Sequence, residues 1–252
     1  MNVSKKNIQY PPQTGPYKVC VKDKNNWSGH HTARLQISLG NPKQDGVKMF
    51  AMTEWAAARF DKVIFIVSDT LQRHNLALRH GISLEDAHGL ALMQGHEWMV
   101  RNKAAIDIAP RRVVTVWDEW LSRPDFAATR QEINALYEQN AALREAVVDK
   151  ARQFSARHHP QYAESGLDTS IEYVLEELAA FAIMFKETPA ADFYAGTWLR
   201  EIFAVLYTLP LSDLMRGFRK VDFAEVDFAR NGASISISPS SGRDQQSHCV
   251  IV

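Results

Sequence analysis

Cysteine is scarce: Cys20 and Cys249 are the two in 252 residues. Two thiols near opposite ends make no disulfide framework and fit a reducing, cytoplasmic setting. Net charge is also missing, since 29 basic residues balance 29 acidic ones. Nothing therefore draws the whole chain to nucleic acid or to an anionic membrane, and a polyanion would have to be held by a local patch. No apolar run approaches the roughly 18 residues of a membrane span, so stable membrane insertion is not expected. The start, Met1-Asn2-Val3-Ser4-Lys5-Lys6, lacks the apolar centre of a secretory signal. Neither Gly40 nor Gly46 is followed by Lys-Ser or Lys-Thr, which excludes a phosphate loop. Nine histidines are present, yet Gly95-His96-Glu97-Trp98 lacks the second histidine of a zinc helix. No Cys/His spacing matches a structural zinc site, so no metal or cofactor is expected, and His74 and His80 read as surface or loop-packing residues.

What remains is an ordinary globular composition, 46% hydrophobic and 23% charged. It fits one large α/β domain or two small ones. Residues 1–16 are polar and contain Pro11, Pro12 and Pro16, the mark of a flexible arm. Residues 17–231 carry the periodic patterns of a folded domain. Residues 232–252 turn to Ser, Gly, Gln and Asp and read as a disordered tail. The tail ends Cys249-Val250-Ile251-Val252. That is either a C-a-a-X prenylation box, a weak single anchor with no polybasic companion, or an apolar ending that arose by chance.

The stretch around which the domain is organised is Thr32 to Leu39. It alternates Ala33, Leu35, Ile37, Leu39 and stops at Gly40-Asn41-Pro42, as a strand running into a turn should. A helix from about Asp45 to Phe60 follows, with Val47, Phe50, Ala51, Trp55 and Ala58 as its expected buried face. Val63 to Val67 is a continuous apolar run ended by Ser68-Asp69, which suits a parallel strand covered on both faces. Strand, helix, strand places Ser38, Ser68 and Asp69 at one edge of the sheet, where open α/β sheets bind ligands.

Farther on, Ser83 starts a helix to about Ile108, with Arg101 and Lys103 near its end. Arg111 to Val116 reads as a strand. A long helix is expected from Asp125 to about Arg157, with Asn140 the one polar break in its stripe. Thr169-Ser170-Ile171-Glu172 has capping-box spacing and opens a very apolar helix to about Lys186. On it Tyr173 and Glu177 are four apart and share a face. A carboxylate on so apolar a helix needs a partner or a raised pKa, unless it faces water, and either Glu176 or Glu177 could be the solvated one. Ala191 to Gly196 is strand-like and carries Tyr194, and Leu199 to Leu209 is apolar up to Pro210.

Leu35-Gln36-Ile37-Ser38 with Gly40-Asn41, the helix Tyr173-Val174-Leu175-Glu176-Glu177, the Tyr194 segment, and between them Glu54 to Phe60 and Val63 to Thr70, together resemble the tRNA-dependent cyclodipeptide synthases. The resemblance extends to a fungal branch with arginine-containing products. It implies a Rossmann-like domain, a parallel sheet wrapped by helices, similar to the catalytic domain of class I aminoacyl-tRNA synthetases. It implies two aminoacyl-tRNA substrates and a cyclic dipeptide product, with no ATP and no cofactor. By position, Ser38 would carry the acyl group. Tyr173 and Glu177 would hold the α-amino group, and Tyr194 would assist ring closure, with Tyr207 as a second candidate. Gly40 and Asn41 would shape the turn and lend a backbone N–H to an oxyanion. Gln36, Ser68 and Asp69 would make the first amino-acid pocket polar, which favours an arginine-containing product. Arg101, Lys103, Arg111 and Arg112 would contact tRNA. The sequence departs from the family pattern at Gln36, where many members have glycine, and at Ala195, where others have proline or histidine. Two other readings stand beside this one. A serine hydrolase on an α/β sheet would lack Gly-x-Ser-x-Gly here and has no clearly placed histidine. A non-catalytic tRNA-binding module would not need Ser38.

Overall fold

The computed structural model describes residues 15–22, 27–158, 165–197 and 199–231. Most of the expected N-terminal arm, part of the Lys22–Asn26 loop, and the tail with Cys249 lie outside the described residues.

Six strands form one sheet: β1 (Tyr17–Val21), β2 (Thr32–Ser38), β3 (Lys62–Ser68), β4 (Arg112–Val116), β5 (Ala191–Tyr194) and β6 (Asp222–Arg230), in the order β1-β6-β5-β2-β3-β4. All pairings are parallel except the edge pair β1–β6, so the expected parallel sheet carries one antiparallel edge strand. From β2 the chain steps to β3 and β4 on one side. It then returns through several helices to place β5 on the other side of β2. The strand order thus reverses at β2, and a crevice opens there above the carboxyl ends.

The period of two in β2 divides the sheet's faces. Ala33, Leu35 and Ile37 join Val63, Phe65, Val67 and Phe193 in one core, under α1 (Gly46–Ala57) and α4 (Lys103–Asp107). Arg34, Gln36 and Ser38 point the other way. On that face lies a second core built on α8 (Leu167–Glu187), with α6 (Phe126–Gln139), α7 (Ala141–His158) and α9 (Arg200–Leu206). The polar face of β2 is therefore turned toward a strongly apolar helix.

Several expected elements are corrected. On α1 the buried side chains are Met49, Ala51, Met52, Thr53, Trp55 and Ala56, while Val47 and Phe50 are 56% and 39% exposed. The helix carries two overlapping apolar stripes, and contact with the sheet selects one. The helix expected over 83–108 is α3 (Leu84–Arg101) plus α4, separated at Asn102. Ser83 does cap α3, accepting from the Asp86 N–H. The long helix over 125–157 is two helices. Asn140 is extended (φ −107°, ψ 109°) and its Oδ1 accepts from the Leu143 N–H at 2.9 Å, so the polar break is a cap. The stripe around it is core all the same, with Ile133, Leu143, Val147 and Ala151 fully buried. The helix α8 starts at Leu167 after Gly166, two residues before the expected capping box, and Ser170 is buried within its first turns. The helix α2 (Arg73–His80), which follows a 3-10 turn at Thr70–Gln72, had no counterpart in the sequence reading. No helix among the described residues is long and apolar enough to cross a membrane.

Candidate active site

A cavity of about 390 Å³ opens at the reversal point, and Ser38, Tyr173, Glu177 and Tyr194 all line it. Three strand ends and one helix stripe bring them together. Ser38 ends β2 beside Ser68 of β3, and Gln36, one pleat below, pairs in register with Tyr194 of β5. Gln36 Nε2 touches Met184 Sδ on α8 at 3.3 Å. Two helical turns toward the amino end from Met184 is Glu177, and one further turn is Tyr173. The strand rises about 6.6 Å from Gln36 to Ser38 while the helix rises about 10 Å from Met184 to Glu177, so both climb to the same edge.

The turn after Ser38 is tightly specified. Gly40 has φ +82°, which only glycine adopts at no cost. The Asn41 N–H donates to the Ser38 carbonyl at 3.2 Å. That N–H closes the turn. The Asn41 side chain instead donates to the Ala195 carbonyl at 2.9 Å, which ties the β2 turn to the residue after Tyr194. Gln44, fully buried, accepts from the Ser38 N–H at 2.8 Å and donates to the Gln36 carbonyl. Gln44 was missed at the sequence level because its only signal is a glutamine near a helix start. The Ser38 hydroxyl makes no hydrogen bond among the described residues.

Below the serine lies a buried polar group. Gln36 Nε2 donates to Asp192 at 2.8 Å, and Arg34 approaches the same carboxylate at 3.3 Å. Arg34 and Asp192 are both 1% exposed. Burial pushes Asp192 up to about 6, against the nearby Arg34 charge and the Gln36 hydrogen bond. Gln36 Oε1 is buried without a partner. The Gln36 amide is thus committed beneath the cavity, although the residue forms part of its wall.

On α8 Glu176 and Glu177 part company: Glu176 is buried and Glu177 is half-buried. Glu176 accepts from Arg73, from His74 at 3.1 Å and from Trp117 Nε1 at 3.0 Å. Burial pushes its carboxyl up, but His74 and Arg73 outweigh this and hold it below the usual range. His74 is therefore a buried helix residue that anchors α2, not the surface or loop-packing residue the sequence suggested, whereas His80 is exposed. Glu177 faces the cavity. Burial, with help from the Glu176 charge and against Lys150, raises its pKa to about 8. Tyr173 accepts from Gln72 Nε2 at 3.1 Å, and Gln72 Oε1 accepts from Asn75 at 2.9 Å. The amide orientation of Gln72 is fixed from both sides, so it presents a donor to the phenol oxygen and leaves the phenol hydrogen for the cavity. Burial, then the charges of Glu177 and Tyr194, push the Tyr173 pKa well above its usual value. Phe154 of α7 stacks on the Tyr173 ring at 5.9 Å. Gln72 and Lys150, both lining the cavity, were also missed; they belong to helix stripes that acquire meaning only when α2 and α7 face α8.

Other expected site residues lie elsewhere. Ser68 lines the cavity, but Asp69 does not. Its carboxylate accepts from the Trp117 N–H at 2.9 Å, where β4 enters α5 (Trp117–Leu121), and it is 2% exposed against α3. Tyr207, the alternative to Tyr194, is 48% exposed at the end of α9 and outside the cavity. Of the basic set, Arg101 pairs with Asp45 at 3.0 Å, Lys103 pairs with Asp107, and Arg112 pairs with Asp107 at 2.9 Å. Arg111 and Arg112 stand at the amino end of β4, the sheet edge opposite the cavity. Among the described residues no cluster of His, Cys, Asp or Glu could hold a metal.

A family model described as cyclodipeptide synthase matches residues 24–190. No curated protein matches the sequence. Solved structures share the fold. A cyclodipeptide synthase from Fluoribacter dumoffii superposes with a TM-score of 0.76 at 18% identity, covering 85% of this chain and 99% of that one. One from Candidatus Glomeribacter gigasporarum, bound to Phe-tRNAPhe, gives 0.63 at 18% identity over 85% and 93%. A Mycobacterium tuberculosis protein, whose structure relates cyclodipeptide synthetases to type I tRNA synthetases, gives 0.61 at 15% identity over 92% and 100%.

Proposed function

The chain belongs to the cyclodipeptide synthase family, whose members are aminoacyltransferases that make cyclic dipeptides from aminoacyl-tRNAs, and from that premise we propose that it works by ping-pong transfer through an acyl group on Ser38. The observation that carries this is the convergence of Ser38, Tyr173, Glu177 and Tyr194 on one cavity.

In the first half-reaction the Ser38 oxygen attacks the ester carbonyl of one aminoacyl-tRNA. The ester C–O bond breaks, the ribose oxygen leaves with a proton, and the amino acid is held as a serine ester. The α-amino group then lies against Tyr173 and Glu177. An α-amine titrates near 8, close to Glu177 at about 8, so the proton passes readily between them and the free amine can attack the second ester. A peptide bond forms and the second tRNA leaves. The new terminal amine attacks the serine ester, the ring closes, and Ser38 recovers its proton with Tyr194 as the neighbouring acid. Aminoacyl esters are already activated, and the reading needs no ATP. It also sets the enzyme in the cytoplasm, where aminoacyl-tRNA is made.

The first side chain would lie beside Ser68 and Gln36, in a cavity whose lining also includes Val174, Phe181 and Leu199. Such a wall suits a long side chain ending in hydrogen-bond donors, arginine first. The Asp69 carboxylate, turned away, contributes nothing to that choice. A serine hydrolase is disfavoured because no histidine lines the cavity among the described residues.

The test is incubation of purified protein with a complete set of aminoacyl-tRNAs, followed by mass spectrometry. A cyclic dipeptide from the native protein, none from Ser38→Ala, and an aminoacyl adduct on the native protein at short times are expected. Product from Ser38→Ala would refute the acyl-enzyme, and a purely aliphatic product would refute the arginine assignment.

A further inference from the structure

The part of the cavity lining that three helices supply, here called a lobe, shares Tyr173 with the catalytic candidates. From α2 come Asn75 and Arg79, four apart; from α7, Lys150 and Phe154, four apart; from α8, Ser170 and Tyr173, three apart. Residues at these spacings share a helix face, so three stripes meet around one space. Ser170 is 3% exposed, and its Oγ has no hydrogen-bond partner among the described residues. Lys150 is 8% exposed, an unusual place for an ammonium group. Arg79 stands exposed at the mouth and forms no ion pair among the described residues, whereas Arg73, Arg101 and Arg112 are all held by carboxylates. Glu177 is the one carboxylate among the described lining residues; of the lining cations, Lys43 is held by Asp227 at 3.0 Å, Lys150 acts on Glu177, and Arg79 stands apart. Two long cations beside a buried hydroxyl and an amide are groups that donate to an anion.

We infer that this lobe is an anion-binding subsite, and that its occupant is a backbone phosphate of the tRNA acceptor end leading to the ester. This rests on the aminoacyl-tRNA reading above. It moves the tRNA contact from Arg101, Lys103, Arg111 and Arg112, mostly paired or at the opposite sheet edge, to residues that share the cavity with Ser38. Phosphates next to a seated ester must lie close to the cavity, so cations in its wall meet them with no movement of the chain. The same donors would suit the carboxylate of an acidic aminoacyl side chain, and the experiment separates the two sources.

The probe is the unacylated trinucleotide CCA, titrated against full-length protein by fluorescence anisotropy. Arg79→Gln and Lys150→Met should each weaken binding roughly tenfold or more, the usual loss on removing a hydrogen bond to a charged group. Lys150→Arg, which keeps the charge, should restore most of it. Arg79→Gln should raise KM for aminoacyl-tRNA with kcat changed little. Ser38→Ala should bind CCA as the native protein does, so failure of the acyl-enzyme reading would leave this measurement intact. If CCA binding is unchanged in both variants but use of Asp-tRNA and Glu-tRNA falls, the anion is a side-chain carboxylate and the phosphate assignment is wrong. If neither changes, the subsite does not exist.

Discussion

Glu177 concentrates the chemistry of the protein in one group. Its pKa of about 8 stands well above the model-peptide value near 4.3, because burial opposes the charged form. Between about pH 4.5 and 8 the folded protein holds a proton that the unfolded chain has lost, so stability falls across that window and levels off above it. Glu177→Gln removes that loss. Above pH 8 it should be more stable than the native protein by about 1–3 kcal/mol, or roughly 3–10 °C in Tm, with no difference near pH 4. Thermal melts across that range check it. In activity the same variant should fall at least a hundredfold, the usual contribution of general acid–base catalysis. It should also lose the rise of kcat toward pH 8. Gln72 acts through Tyr173. Gln72→Met removes the donor to the phenol and should lower kcat about tenfold with KM little changed. Gln72→Glu, nearly isosteric, would accept the phenol hydrogen instead and should be worse than Gln72→Met despite its better shape. Steady-state kinetics of the two variants decide this, because a role in packing alone predicts the reverse order.

Elements hold these residues where the chain alone could not. The strand β5 delivers Tyr194, and its exit is fitted around a bare backbone. A Cβ on Gly196 would lie 2.6 Å from the Tyr194 ring. Gly196→Ala should therefore displace the phenol and cut turnover more than tenfold while the fold survives, as circular dichroism would show. Beneath the sheet edge, Arg34 and Asp192 lock β2 to β5. Arg34→Leu leaves the Asp192 carboxylate buried without its cation and should cost about 3–5 kcal/mol, measured by urea unfolding. Arg34→Leu combined with Asp192→Leu should recover much of that loss. Legibility at this scale was uneven. The strands β2 to β5 were plain because alternation and apolar runs are local signals. The helix α2 was not, since Arg73-His74-Asn75 reads as loop until Glu176, a hundred residues away, accepts from both Arg73 and His74. Asn140 was visible as a break, but its capping role appears only with both helices packed against α8.

At the scale of the molecule, the site exists because strand order reverses at β2. Local sequence determined the type of most elements, the strand ends at Ser38 and Ser68, and the kinship of the Ser38, Tyr173–Glu177 and Tyr194 motifs, because those depend on spacing within a segment. Tertiary structure alone decided that these motifs face one cavity, that Asp69 turns to Trp117, that Glu177 rather than Glu176 keeps its carboxyl unpaired in the cavity wall, and that Gln72, Lys150 and Arg79 join it. These are outcomes of which stripe of each helix meets which face of the sheet, and a stripe shows its partner only once burial has chosen among apolar faces that the sequence leaves equivalent.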